Sequence, residues 1–153
     1  MDPIHTLHND HQKFLTLFSQ IEKTHADTPE LRRELYLRFE LIFTLHTLGE
    51  EHVFYKELLP IPAIAEVIKK SYESHHLIDM ARHELKATAY SSENWLPKFQ
   101  AIRDTILAHM AEEENFLFPQ LREILTQQQR LAIGERMIAY RQTLIHTNNN
   151  SNL

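Results

Sequence analysis

His46-Thr47-Leu48-Gly49-Glu50-Glu51 returns later in the chain as His109-Met110-Ala111-Glu112-Glu113-Glu114. A histidine and a glutamate four residues apart lie one above the other on the same helix face, so both side chains can grip one ion. The residues after each copy are also alike: His46 is trailed by Phe54, Tyr55 and Leu58, and His109 at the same offsets by Leu117, Phe118 and Leu121. This reads as an internal duplication of a helical, metal-binding unit.

Working outward, each copy has a further histidine before it, His11 ahead of His46 and His75 ahead of His109 at nearly the same distance. In an up-down bundle, residues on consecutive helices share a layer when the connecting loop lies midway between them in sequence. The midpoint of His11 and His46 falls at Thr28-Pro29, that of His46 and His75 inside Leu59-Pro60-Ile61-Pro62, and that of His75 and His109 at Ser91-Ser92. All three midpoints are strong helix-breaking signals. The spacing therefore predicts an all-α, up-down-up-down four-helix bundle with four histidines and two glutamates at one level.

Composition narrows the function. The chain has 153 residues, 42% of them hydrophobic, and only two glycines, which suits one helical domain with a substantial core. A net charge of −5 without a basic run argues against nucleic acid and against an anionic membrane surface. The lack of cysteine removes disulfides, thiolate zinc sites and iron–sulfur clusters. No signal-peptide pattern and no membrane-length apolar run is present, so a cytoplasmic protein is expected.

Helix start and stop signals divide the chain into five segments. Asp2-Pro3 reads as a cap and first residue of a helix to about Thr24, with the apolar stripe Ile4, Leu7, Phe14, Phe18 and Ile21. Thr28-Pro29 repeats that start for a second helix, striped by Leu35, Phe39, Ile42, His46, Glu50 and Val53 and stopped by Pro60 and Pro62. A third helix runs to about Tyr90. The fourth carries Phe99, Ile102, Ile106, His109, Glu113 and Phe116 until Pro119 ends or kinks it. Thr126-Gln127-Gln128-Gln129 is a capping-box pattern opening an additional C-terminal helix. The whole is expected to be a single domain over 1–146, with the bundle at 3–119, the extra helix at 126–146 and a disordered tail at 147–153.

The polar candidates replace apolar residues inside these stripes. A lone core histidine is ordinarily a hydrogen-bonded structural residue, but six polar groups in one layer, with no lysine or arginine on the stripes there to neutralise Glu50 and Glu113, call for cations. The alternative is a buried polar network. Loop geometry does not separate His75 from His76; the face formed by Ile68, Tyr72, Ile78 and Leu85 favours His75. His25 lies on the His11 stripe, but 14 residues of helix put it about 21 Å away. His5, His8, His52, His83 and His146 read as surface or rim residues, with His8 one turn from His11 and able to support it. Glu51, Glu112 and Glu114 read as solvated neighbours, and Tyr72 as a core residue whose phenol could reach the site.

Asn9-Asp10-His11, His46-x-x-x-Glu50-Glu51, Glu73-Ser74-His75-His76 and His109-x-x-x-Glu113-Glu114 together with Phe118-Pro119 resemble the hemerythrin family in its broad cation-binding form, over about residues 4 to 142. The resemblance implies a non-haem di-iron centre with an oxo or hydroxo bridge, Glu50 and Glu113 as bridging carboxylates, and His11, His46, His75 and His109 as terminal ligands. Zinc or manganese could substitute. Oxygen-carrying members use a fifth histidine one turn from the third-helix ligand, where this chain has Ser71 and Asp79. The resemblance thus implies binding of, or reaction with, a small ligand such as O2, NO or peroxide, in sensing or stress response, and not stable oxygen carriage. Iron storage or donation and a metal-stapled interaction module are the alternatives.

Overall fold

Asp2 starts the first helix as the sequence predicts: its Oδ1 accepts the backbone N–H of Ile4 at 3.0 Å, and Pro3 stands where a missing N–H is harmless. The computed structural model describes residues 1–151, and among these every regular element is helical. Helix α1 is Pro3–Glu22 and α2 is Pro29–Gly49; a five-residue π turn, Glu50–Phe54, joins α2 to the short α3, Tyr55–Leu58. Helix α4 is Ala65–Lys86. Helix α5, Trp95–Glu112, is joined by a second π turn, Glu113–Leu117, to α6, Phe118–Ile124, and α7 is Gln127–Ser151. Thus α1, the α2–α3 rod, α4 and the α5–α6 rod make the four-helix bundle, and α7 lies outside against α1 and α2.

The turns break where the sequence predicts. Thr28, however, bonds to the carbonyl of His25 at 3.2 Å instead of capping α2. The α1–α2 and α4–α5 loops meet at one end, where buried Arg32 donates to Thr24 Oγ1 at 2.9 Å, to the Thr24 carbonyl at 3.1 Å and to the Tyr90 carbonyl at 2.8 Å. At the opposite end Thr126 and Gln129 form the reciprocal capping box, at 2.8 and 3.1 Å. Arg130 ties the start of α7 to Asp2 at 2.8 Å.

Two separate apolar clusters fill the bundle. One, around Phe14, Phe39, Trp95 and Phe99, lies toward the Arg32 end; the other, around Leu7, Phe54, Leu58, Ile68, Leu117 and Phe118, lies toward the α7 start. The layer of polar candidates divides them, since His11 falls between Leu7 and Phe14, and His75 between Ile68 and Ile78.

The π turns correct two expectations. The Tyr55 N–H bonds to the Glu50 carbonyl and the Phe118 N–H to the Glu113 carbonyl, five residues back instead of four. Each extra residue rotates the rest of its rod about the helix axis, so Phe116, expected in the core, is 46% exposed while Leu117 is fully buried. In the first copy Phe54 likewise takes the core position expected of Val53, which is only half-buried. Pro119 neither ends nor breaks the rod, because the widened turn before it absorbs the register change and the helix resumes with proline in its first turn. The break expected at Thr147 is also not where the helix stops. It continues to Ser151, with the Thr147 and Ser151 hydroxyls each bonding a carbonyl four residues back, because extending a formed helix is far easier than starting one. Asn152 and Leu153, the rest of the expected tail, lie outside the described residues.

Candidate metal centre

His11, His46, Glu50, His75, His109 and Glu113 come together in the layer between the two apolar clusters, and all six are buried. They form two triads, His11/His46/Glu113 and Glu50/His75/His109, within each of which the donor atoms lie within 4.8 Å of one another. The carboxylates face across. Glu50 Oε1 is 3.0 Å from His46 Nε2 and 3.3 Å from His75 Nε2, and Glu113 Oε1 is 3.4 Å from both His11 Nε2 and His109 Nε2. Each glutamate therefore touches one imidazole of either triad, which is the placement a bridging carboxylate needs.

Buried polar atoms ordinarily find hydrogen bonds, and four in this layer do not: His11 Nε2, both Glu50 oxygens and Glu113 Oε1. His75 Nε2 and His109 Nε2 stand 3.1 Å apart, converging on one spot. Unsatisfied acceptors aimed at a common centre fit divalent or trivalent cations, and carboxylate plus imidazole is a donor set suited to iron, zinc or manganese.

The outer ring nitrogens explain how the imidazoles are held. His46 Nδ1 bonds Asp10 Oδ2 at 2.9 Å, His11 Nδ1 bonds Glu114 Oε1 at 2.7 Å and His75 Nδ1 bonds Glu51 Oε1 at 2.9 Å. A carboxylate on Nδ1 keeps the proton there and leaves Nε2 free for a metal. Glu51 and Glu114 are thus not merely solvated neighbours, as their sequence positions suggest, because the π turns swing them onto the ligand rings. His8 also bonds Glu114, at 2.9 Å, from the exposed side. His109 alone of the four has no carboxylate on Nδ1 among the described residues.

Tyr55 is the site residue that sequence reasoning missed. Its hydroxyl donates to Glu113 Oε2 at 2.9 Å and lies 3.3 and 3.2 Å from Nε2 of His75 and His109. Tyr72, the phenol singled out from sequence, instead donates to the Glu51 backbone carbonyl at 2.9 Å. His76 is exposed, so His75 is the residue that faces the layer; His5, His8, His25, His52, His83 and His146 are exposed as well. Ser71 bonds the Val67 carbonyl and Asp79 pairs with Arg82, so neither fills a fifth histidine's place.

Charges within the layer are strongly coupled. Burial opposes protonation of His46 and His75, but the facing carboxylates outweigh it and raise these imidazoles to about 9 and about 10. Burial, reinforced by the other three imidazoles, drops His109 to about 3. Burial and the neighbouring Glu50 push the Glu113 carboxyl up to about 7, whereas His46 and His75 hold Glu50 well below the usual range against its own burial. The Tyr55 phenol is raised by burial and by both carboxylates, so it keeps its proton.

The family model described as the hemerythrin HHE cation binding domain matches residues 2–121. The chain belongs to this family. Among solved structures it is similar to a hemerythrin HHE cation-binding domain-containing protein from Mycobacterium kansasii, with a TM-score of 0.78 and 19% identity over 94% of this chain and 86% of that one. At that identity the likeness supports the fold alone. No curated protein matches. No helix among the described residues is long and apolar enough to cross a membrane.

Proposed function

We propose that this chain is a non-haem di-iron protein whose two ions, joined by an oxo or hydroxo bridge, bind or react with a small ligand such as O2, NO or peroxide, in sensing or stress response. The observation that carries this reading is the crossed placement of Glu50 and Glu113, each facing an imidazole from both triads. His11, His46 and Glu113 would hold one ion and His75, His109 and Glu50 the other, each carboxylate also reaching the second. When bound, such a pair supplies open coordination positions and electrons.

The chain's own residues set what can reach it. Leu7, Phe14, Ile106 and Phe118 are buried apolar side chains on the helices that carry the layer, surroundings that favour diatomic or peroxide-sized ligands over an organic substrate. Tyr55 Oη holds a proton on the His75/His109 side, where it can donate to a small anionic or oxygenic ligand in place of Glu113. Because Ser71 and Asp79 contribute no further imidazole, reversible oxygen carriage is not the proposed role. The test is to admit oxygen to the reduced, anaerobic protein and then remove it. A colour change that does not reverse, with a spectrum that responds to azide or NO, is expected; repeated full reversal would overturn this reading in favour of a carrier.

A further inference from the structure

The chain has two glycines, and both lie where α7 meets the rest of the molecule. Neither has a positive φ, so neither supplies unusual backbone freedom, and glycine within a helix is less favourable than alanine. What they supply is space. A Cβ on Gly134 would run into the Met1 carbonyl, and one on Gly49 would stand 3.0 Å from Arg141 Nε.

The close approach at Gly49 seats the Arg141 side chain beside the polar layer. Its Nη2 donates to Asp10 Oδ2 at 2.7 Å, and that same oxygen bonds His46 Nδ1 at 2.9 Å. Arg141, Asp10 and His46 are 15%, 8% and 3% exposed along this line, which leads from α7 to the inner layer. Arg141 Nε is buried without an acceptor, so the side chain gives up one hydrogen bond to keep this position. The other Nδ1 partners, Glu51 and Glu114, belong to the π turns, and among the described residues only the His46 partner accepts a hydrogen bond from α7.

We infer that Arg141 is a positioning residue of the metal centre: acting through Asp10, it fixes the His46 ring so that Nε2 faces the ion shared with His11 and Glu113. It thereby makes α7, which lies beyond the residues matched by the family model, part of one half of the site. The inference rests on the metal reading proposed above. The hydrogen bonds of Arg141 and affinity for that one ion are then linked, while the ion held by His75 and His109 has no such dependence on Arg141.

The test is a competition titration of metal-free full-length protein with zinc(II), comparing wild type with Arg141→Ala, Asp10→Ala, the double variant and Met137→Ala. Met137, one turn before Arg141 on α7, is buried in the apolar cluster and supplies no donor to Asp10 or His46, so its truncation loosens the packing of α7 without removing a polar partner from that line. In Arg141→Ala one of two ions should bind about 10- to 100-fold more weakly and the other unchanged, the range typical of losing an outer hydrogen-bond partner. The same substitution should add nothing once Asp10 is alanine. Met137→Ala should lower Tm without separating the two affinities. Two ions bound by Arg141→Ala as in wild type, both weakened alike, or an effect that persists without Asp10, would overturn the inference while leaving the metal reading intact. Wild-type protein that takes up no zinc would overturn the metal reading itself, and the inference with it.

Discussion

The two triads draw on two sequence units of matching pattern, yet they are held differently. In the first, both imidazoles are backed by carboxylates that are themselves backed: His11 by Glu114 and His8, His46 by Asp10 and Arg141. In the second, His75 is backed by Glu51 and, among the described residues, His109 by no carboxylate, and the Tyr55 hydroxyl lies against both Nε2 atoms. The residue five after each glutamate marks the divergence. After Glu113 it is Phe118, whose ring stacks on His11 at 6.1 Å; after Glu50 it is Tyr55, which brings a phenol to the other side. The repeated pattern gives a symmetric frame, and single differences within it create one firmly anchored half and one with a proton donor at hand.

The largest effect that would break this comparison lies with the shared carboxylates. Glu50→Ala or Glu113→Ala removes a group that faces both triads and should abolish stable uptake of both ions. Glu51→Ala or Glu114→Ala should weaken one ion by about 10- to 100-fold. Metal per chain after dialysis separates the two classes, and equal content in all four variants would contradict the assignment.

Next in size is the register change that sets the triads in place. Leu117→Ala should cost about 2–5 kcal/mol in chemical denaturation, as for a core leucine, whereas Phe116→Ala should stay within about 1 kcal/mol because its ring is largely exposed. The reverse order would mean an uninterrupted α-helix through Glu113–Leu117.

A smaller effect, opposite in sign with and without ions, is expected from pH. In the metal-free protein, His46 and His75 titrate above their ordinary 6.5, near 9 and 10. The stability they contribute is complete below 6.5 and lost as pH rises through those values. Glu113, raised to about 7 from 4.5, acts in the same sense over its own lower window. His109, lowered to about 3, works the other way, and its contribution is lost as pH falls from 6.5 toward 3. Between pH 4.5 and 6.5 the Glu113 and His109 slopes cancel, so metal-free protein should hold a plateau there and weaken above 6.5 toward pH 10. Loaded protein should instead weaken in acid, where protons displace the ions from the imidazoles. Melting curves across pH with and without a chelator read both trends.

The smallest change sharpens the contrast between the halves. Tyr55→Phe removes one hydroxyl, should cost about 0.5–1.5 kcal/mol as a single buried hydrogen bond, and should leave both ions in place. The spectrum with azide or NO should shift. An unchanged spectrum would assign the Tyr55 hydroxyl to structure alone.

The fold was legible because breaker residues lie midway between histidines and because the ligand candidates interrupt apolar stripes. The six inward residues were legible for the same reason. What escaped was everything downstream of an extra residue in the turn. His46, Glu50, Phe54 and Leu58 recur every four residues, as do His109, Glu113, Leu117 and Leu121. At about 100° per residue, three such steps drift about 120° around an α-helix, too far to stay on one core face. That drift is the sequence signal of the π turns, and it turns Tyr55 inward and Phe116 outward. The partnership of Asp10 with Arg141 had no such signal, since it depends on how α7 docks against the bundle, far away in sequence.

The central claim is that the two triads hold two metal ions through shared carboxylates. Metal content and melting temperature of the purified wild-type protein, measured before and after exhaustive chelation and again after reconstitution with ferrous iron, test it most directly. The account predicts close to two ions per chain, a marked fall in melting temperature on their removal, and recovery when iron is restored. Substoichiometric metal at the outset, no uptake on reconstitution and identical melting curves throughout would contradict it, and would make the layer a buried polar network instead.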